Sequence, residues 1–529
     1  MRRPLILNGF MATGKSTVGA LVARTTGRPF IDLDLAVEAE AGASVESVFA
    51  SQGEAKFRSL ERACLTRILD EAASSASAPV IAVGGGALVA RDLRLRALDE
   101  CVVVTLEGSP AELARRALAQ GSRPLLSGPN PEQRITELLA LRATGYAEAH
   151  ARISSEAPLE SVASSVRAVW ERDEVAVAAG VASYGVQVGK DFAVTRIGAL
   201  IAQSPVCVLV SDRTVAALHA ARIEAALNAA GTRVVRVDFE PGEAHKNIAS
   251  VESVWRAALA GSADRKSTFV ALGGGVVTDM TGFAASTYMR GVRWIGIPTT
   301  LLAMVDASVG GKTGVDLESA KNAVGAFWQP SGVLCDVQHL STEPARGFVS
   351  ALAEVVKTAL IGDPEMFALL ESNAERVARR DLELTAELVR RSVRVKARIV
   401  SFDERESGLR AVLNLGHTVG HALEAQAGYT ALSHGEAVSL GLVAALRLGV
   451  ALGRTPRDLS ERTVDLLRRL GLPASLLGQP LSDAANLLGH DKKRAGSSVR
   501  FVFARGLGNV ETLPILLSEL RTHVLALAE

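Results

Sequence analysis

Cysteine is scarce and scattered. The 529-residue chain has four, Cys64, Cys101, Cys207 and Cys335, none spaced for a zinc ribbon or a disulfide scaffold, and a reducing cytoplasmic setting is the expectation. Net charge is almost absent: 58 Lys and Arg face 57 Asp and Glu, leaving +1. So balanced a chain has no general attraction to nucleic acid or to a membrane surface, and any anionic ligand must be met by local cations. Long apolar runs are missing too. In "MRRPLILNGFMATGK" the longest stretch free of polar residues or glycine is Pro4 to Leu7, which argues against an export signal. Ala437 to Leu446 is ten residues long and includes Ser439 and Gly441, well short of the roughly 20 that span a bilayer. No Pro- or Ser-rich tether marks a domain junction.

What is present is 48% apolar residues, enough to fill the two to four cores that this length requires. "PLILNGFMATGKSTVGALVAR" runs from a short apolar strand through Gly9, Gly14, Lys15 and Ser16 into helical apolar spacing at Val18, Leu21 and Val22. This is a phosphate-binding loop in its proper context. Glycines let backbone N–H groups wrap phosphate oxygens, Lys15 offsets phosphate charge, Ser16 can hold Mg2+, and the helix N-terminus adds its dipole. In "PFIDLDLAVE", Asp32 and Asp34 stand two apart, and an extended backbone sends both carboxylates from one face, one toward the metal and one toward an acceptor hydroxyl.

"GEAKFRSLE", "IAVGGGAL", "GSRPLL" and "LRATGYAE" follow in order. With the loop and the aspartates, they make residues 4 to 150 resemble shikimate kinase. The resemblance implies that Asp34, Arg58, Gly84, Gly85, Gly86 and Arg142 hold shikimate, with Asp34 near the hydroxyl that is phosphorylated. It implies that Asp32 and Ser16 serve Mg2+, that Gly14, Lys15, Ser16 and Thr17 hold ATP, and that Arg123 closes over the phosphates from a lid. Two arginines suit the carboxylate of shikimate, which a planar fork can grip. The plainer alternative for Arg58 and Arg142 is ion pairing with Glu54, Glu61 or Glu148.

Leu159, Val162, Val166 and Val169 space an amphipathic helix that closes a first domain over 1–172. Beyond it, "SPVCVLVSDRTV" and "TRVVRVDFEPGEAHK" read as strands of a parallel sheet, and Gly273 to Gly275 follow another strand and precede a helix, where a dinucleotide is the natural guess. Polar groups are dense in "IPTTLLAMVDASVGGKTGVDLESAKNAVGAFWQP". Arg290, Asp306, Lys312, Lys321 and Asn322 are candidates to meet a phosphorylated substrate.

"STYMRG", "GIPTTLLAMVDASVGGKTGV", "LNLGHTVGHALE" and "SHGEAVSLG" make this half resemble 3-dehydroquinate synthase over nearly its whole length. Helical spacing alone pairs His417 with His421 as metal ligands, since positions i and i+4 share a face. The resemblance instead implies a metal held by Glu354, His417 and His434, with His421 and Glu406 placed for proton transfer. It implies bound NAD+ and a divalent cation, Zn2+ or Co2+, and conversion of a seven-carbon phosphorylated keto acid (DAHP) into 3-dehydroquinate with release of phosphate. It further implies NAD+ contacts at Asp212, Glu243, Lys246, Gly274, Gly275, Asp279, Thr299 and Thr300. On the substrate side it implies Arg290, Asp306, Lys312, Lys321, Asn322, Lys357, Lys396, Arg410, Asn414 and Lys492 or Lys493.

The expected architecture is α/β: a P-loop kinase over 1–172, a Rossmann-like α/β NAD-binding domain over 173–332, and a mainly α-helical metal and substrate domain over 333–529. The expected assembly is a homodimer through the synthase half, in the cytoplasm, with no nucleic-acid or membrane partner. The rivals are a polyol or glycerol dehydrogenase fused to another small-molecule kinase, and an inactive scaffold. The dehydrogenase has no need of a lysine-rich phosphate pocket, and the scaffold has no need of Lys15 or of Glu354, His417 and His434.

Overall fold

Successive residues of a strand face opposite sides of its sheet, and Leu5, Ile6 and Leu7 are all fully buried. Their strand therefore needs apolar cover on both faces, as the middle strand of a parallel sheet has. A computed structural model, which describes residues 3–75, 77–119, 130–318, 320–428, 431–488 and 498–527, places it there. Strands β1 (Leu5–Gly9), β2 (Phe30–Asp32), β3 (Val80–Ala82), β4 (Val102–Glu107) and β5 (Ala151–Ser154) form one sheet in the order β2-β3-β1-β4-β5. Every recorded pairing in it is parallel. Leu5 and Leu7 pack with Val162, Val166 and Trp170 of the amphipathic helix Leu159–Arg172. Ile6 packs with Leu65 and Ile68 of the helix Val45–Ser74.

The chain divides into two compact units, Met1–Gln187 and Val188–Glu529. An antiparallel hairpin, β6 (Val175–Val177) with β7 (Tyr184–Gly189), straddles the division. In the second unit, β8 (Val206–Asp212), β9 (Arg233–Phe239), β10 (Thr268–Gly273), β11 (Arg293–Pro298) and β14 (Val333–Asp336) are ordered β14-β11-β10-β8-β9, all parallel. A separate hairpin, β12 (Lys312–Leu317) with β13 (Ala320–Phe327), stands beside this sheet. Residues from Ala345 onward are mainly helical, with a hairpin at Ser498–Gly506 and Asn509–Leu516. The helix His434–Ala451 is long and apolar enough by composition to cross a membrane, yet 72% of that window is buried within the protein. It is a core helix.

One sequence expectation fails locally. Asp32 and Asp34 do not share an extended strand: Asp32 ends β2 and caps the helix Leu33–Ala41, its Oδ1 accepting the Asp34 N–H at 3.0 Å. An aspartate that can satisfy an unpaired N–H of a helix start turns the chain from strand to helix at that point.

Candidate active sites

The first site lies at the carboxyl end of β1, the edge where parallel sheets present ligand crevices. Lys15 and Ser16 open the helix Lys15–Thr26. The Lys15 ammonium donates to the carbonyls of Gly9 and Phe10, both at 2.9 Å, and Ser16 Oγ donates to Asp32 Oδ2 at 2.6 Å. Thr17 is exposed in the same first turn. Opposite stands the glycine turn after β3. A Cβ on Gly84 would lie 2.3 Å from Glu61 Oε1 and 3.0 Å from Asp34 Oδ1, and one on Gly86 would lie 2.4 Å from Arg58 Nη1. Only glycine lets these side chains reach the turn. Arg142 Nη1 and the Tyr146 hydroxyl both donate to Gly85 O, at 3.1 and 2.6 Å.

Asp34, Arg58, Gly84–Gly86 and Arg142 are thus brought together. Arg58 does pair with Glu61 at 2.7 Å and Glu54 at 3.1 Å, whereas Glu148 is taken by the buried Arg94 at 2.6 Å, which leaves Arg142 to the turn. Glu61 is the acid that sequence reasoning treated only as an ion-pair partner. Burial pushes its carboxyl up, against the pull of Arg58. Tyr146 carried no signal beyond its place four residues after Arg142. Arg123 lies outside the described residues.

In the second unit, the sequence candidates for a dinucleotide follow four adjacent strands. Asp212 ends β8, Glu243 and Lys246 follow β9, Gly274 and Gly275 follow β10, and Thr299 and Thr300 follow β11. Convergence at one carboxyl edge is what a nucleotide crevice in a parallel sheet requires. Lys246 Nζ bridges Asp279 Oδ2 at 2.6 Å and Asn322 Oδ1 at 2.5 Å. Burial pushes the Asp279 carboxyl up to about 6 in spite of Lys246. The buried Thr299 hydroxyl has no hydrogen-bond partner among the described residues, as suits a group kept for a ligand.

Two residues on, Leu301 donates its N–H to Glu343 Oε2 at 3.1 Å. Burial pushes Glu343 up to about 7, more than the Leu301 N–H and Arg380 pull it down. A folded-state value above the unfolded 4.5 means that this carboxyl stabilises the fold fully below pH 4.5, and that the contribution is lost as pH rises through about 7. Glu343→Gln keeps the acceptor and removes the charge. At pH 8.5 it is expected to be more stable than the unmodified protein by about 3 kcal/mol, with the difference vanishing near pH 4.5, as followed by thermal unfolding of the second unit.

A cavity of about 460 Å3 opens between the β12–β13 hairpin and the helical region, lined by Asp279, Asp306, Lys312, Asn322, Lys396 and Arg410 among others. Lys396 pairs with Asp306, and Lys312 with Glu406. Asn414 Nδ2 donates to Glu406 Oε1 at 3.4 Å. Asp403 accepts N–H bonds from Ser407, Gly408 and Arg410 at 2.7, 2.7 and 3.0 Å, a clasp that sets the loop bearing Glu406 and Arg410. Arg290 is not among the cavity's lining residues: it is exposed, on the turn Tyr288–Arg290. Lys492 and Lys493 lie outside the described residues.

Beside this cavity, one carboxylate and two imidazoles meet. Glu354 Oε1 is 3.4 Å from His417 Nε2 and 3.7 Å from His434 Nε2, and donor atoms of the three lie within 4.8 Å of one another. Lys357 Nζ holds the other carboxylate oxygen at 2.5 Å, while Oε1 is buried without a hydrogen-bond partner. An orphaned carboxylate oxygen facing two imidazole nitrogens fits a divalent cation. Burial and the Lys357 charge push His417 down to about 3. Burial also opposes the charge on His434, but Glu354 and Glu424 outweigh it and raise that ring to about 10. His421 is exposed, its ring centroid 5.0 Å from that of His417.

The cluster depends on helix ends. His417 opens the helix His417–Gln426 and His434 opens His434–Ala451. The Glu436 carboxylate reaches back to the Ser433 N–H at 2.8 Å, and the Ser433 hydroxyl meets that of Ser350, on the helix of Glu354, at 2.8 Å. The two histidine helices touch backbone to backbone: a Cβ on Gly441 would lie 2.0 Å from Gly416 O and 2.8 Å from Gly420 N. Gly441→Ala must push them apart. We expect a loss of metal affinity on the order of 100-fold, since ligand geometry tolerates only a few tenths of an ångström; competition with a chromogenic chelator measures it.

Fold and sites together define a class: a chain of two enzymes, a P-loop phosphotransferase ahead of an α/β and helical enzyme with a carboxylate–imidazole centre. The 3-dehydroquinate synthase of Halorhodospira halophila (strain DSM 244 / SL1) is 48% identical over 279 residues, 53% of this chain and 79% of that protein. That of Rhodopirellula baltica (strain DSM 10527 / NCIMB 13988 / SH1) is 44% identical over 282 residues, 53% of this chain and 75% of that protein. The chain belongs to the 3-dehydroquinate synthase family and carries a shikimate kinase domain in front.

Profiles of the two families match in three places: shikimate kinase over 11–171, and 3-dehydroquinate synthase N-terminal over 236–350 and C-terminal over 351–494. The structure of ValA (2-epi-5-epi-valiolone synthase) from Streptomyces hygroscopicus subsp. jinggangensis 5008, with NAD+ and Zn2+ bound, is 29% identical. The match covers 65% of this chain and 96% of that one, with a TM-score of 0.60. The chain has shikimate kinase and 3-dehydroquinate synthase activities of the shikimate pathway, which removes the dehydrogenase and scaffold alternatives.

Proposed function

We propose that the kinase unit binds ATP–Mg2+ through Gly14, Lys15, Ser16 and Thr17, with Asp32 assisting Ser16 at Mg2+. Arg58 and Arg142 grip the shikimate carboxylate against the Gly84–Gly86 turn, and Asp34 orients the acceptor hydroxyl. Positioning and charge neutralisation are most of what phosphoryl transfer asks of a protein.

In the synthase unit, Glu354, His417 and His434 hold one divalent cation, Zn2+ or Co2+, and the carboxyl edge of β8, β9, β10 and β11 holds NAD+. The two ligands bound to ValA support the same pair here. When bound, the cation polarises adjacent substrate oxygens and NAD+ takes up and returns a hydride. Lys312, Asn322, Lys396 and Arg410 anchor the phosphate and carboxylate of DAHP in the cavity, and Lys357 keeps Glu354 charged. Glu406 and His421 move protons at the substrate edge. Arg290, exposed on its turn, is a substrate contact only when that turn reaches the anion.

The observation that carries this reading is the buried Glu354 Oε1 facing the Nε2 atoms of both His417 and His434. The test is a metal titration coupled to turnover. Chain stripped of metal should regain phosphate release from DAHP in step with one ion per chain, with no net formation of NADH. Net NADH, or full turnover without metal, would defeat it.

A further inference from the structure

Each imidazole of the cluster has a second nitrogen, and what that nitrogen meets decides whether Nε2 offers a lone pair. His417 Nδ1 lies 3.3 Å from Leu415 O. A carbonyl only accepts, so Nδ1 carries the proton and Nε2 is free to bind a cation. For His434 the same place is taken by a side chain: Nδ1 is 3.3 Å from Glu424 Oε2. Glu424 is buried, seven residues after His417 on the same helix and therefore on the same face. Its other oxygen accepts from Lys321 Nζ at 3.2 Å, on β13 of the hairpin that walls the cavity.

We infer that Glu424 is a positioning residue of the metal centre: its carboxylate fixes the tautomer and ring of His434. This rests on the reading that Glu354, His417 and His434 hold a cation. A buried carboxylate behind a liganding histidine orients the ring and makes it a better donor, typically by 10- to 100-fold in metal affinity.

The same neighbourhood suggests a rival. His421, Glu424 and His434 also have donor atoms within 4.8 Å of one another, as a second cation would need. The contacts oppose it. Both Glu424 oxygens are engaged, the Lys321 ammonium would stand against the added ion, and His434 could bridge two ions only as an imidazolate, stripped of both protons.

The test is a titration of the full chain with Co2+ against a competing chelator, reading affinity, stoichiometry and the visible spectrum. The unmodified chain should take one ion. Glu424→Ala should bind it about 10- to 100-fold more weakly. Glu424→Gln keeps an acceptor for Nδ1–H, and Lys321 can turn to Glu243, now 3.9 Å away, so this variant should hold the ion about tenfold more tightly than the alanine variant. Lys321→Met leaves His434 its acceptor and should stay within about threefold of the unmodified chain, a comparison that stands even where Glu424→Ala does not fold. Equal losses in Gln and Ala, an unchanged Ala variant, a Lys321→Met loss as deep as 10-fold or more, or two ions per unmodified chain would each overturn the inference. His417→Ala separates the premise: if it binds the ion as tightly as the unmodified chain, the metal site itself is misread, whatever Glu424 does.

Discussion

Replacing Lys15 with alanine should abolish ADP formation with shikimate and leave phosphate release from DAHP unchanged. The Lys15 ammonium sits at the mouth of the loop, 2.9 Å from two of its carbonyls, and it is the loop's one side-chain charge for the nucleotide phosphates. Without it the developing charge of phosphoryl transfer loses a preorganised cation, a loss of about a hundred- to a thousand-fold in kcat. The synthase should not notice. The recorded Lys15 contacts lie within the first unit, and effects at separate sites add without coupling. Parallel assays of one preparation decide the matter: a large fall in both activities would mean that the two sites are not independent.

What the sequence disclosed differs between the halves for a physical reason. A phosphate-binding loop is built from consecutive residues because backbone N–H groups must wrap one phosphate, so Gly9, Gly14, Lys15 and Ser16 are legible as they stand. The strands and the amphipathic helix Leu159–Arg172 are legible too, since alternation and helical spacing are local. The carboxylate–imidazole cluster is not local. Glu354 belongs to one helix and the histidines open two others, held together by contacts such as Gly441 against Gly416, which no spacing rule contains. Spacing favoured His417 with His421; resemblance alone proposed His434. Asp32 and Asp34 misled because strand and helix meet between them, where capping outcompetes extension. Glu424 was visible as a letter, and its bonds to His434 and Lys321 appeared only with the fold.

Glu354→Gln should empty the metal site and silence the synthase while the kinase runs at its normal rate. The amide that replaces the carboxylate has no charge to offer a cation, and metal affinity should fall by more than about 100-fold, beyond what loss of an outer partner costs. A second consequence is separable from the first. Lys357 is only 3% exposed and has Glu354 as its ion-pair partner at 2.5 Å, so the variant leaves a buried ammonium without that partner, a loss on the order of 3 kcal/mol in the stability of the second unit. Adding Lys357→Met removes that stranded charge. The double variant should regain most of the lost stability by denaturant unfolding, because a neutral pair of similar volume replaces a broken ion pair and no buried charge is left stranded, yet it should still bind no metal. Return of metal with return of stability would mean that Glu354 supports the fold and not the ion. Stability without metal is the outcome that Glu354 Oε1, buried and facing two imidazole nitrogens, leads us to expect.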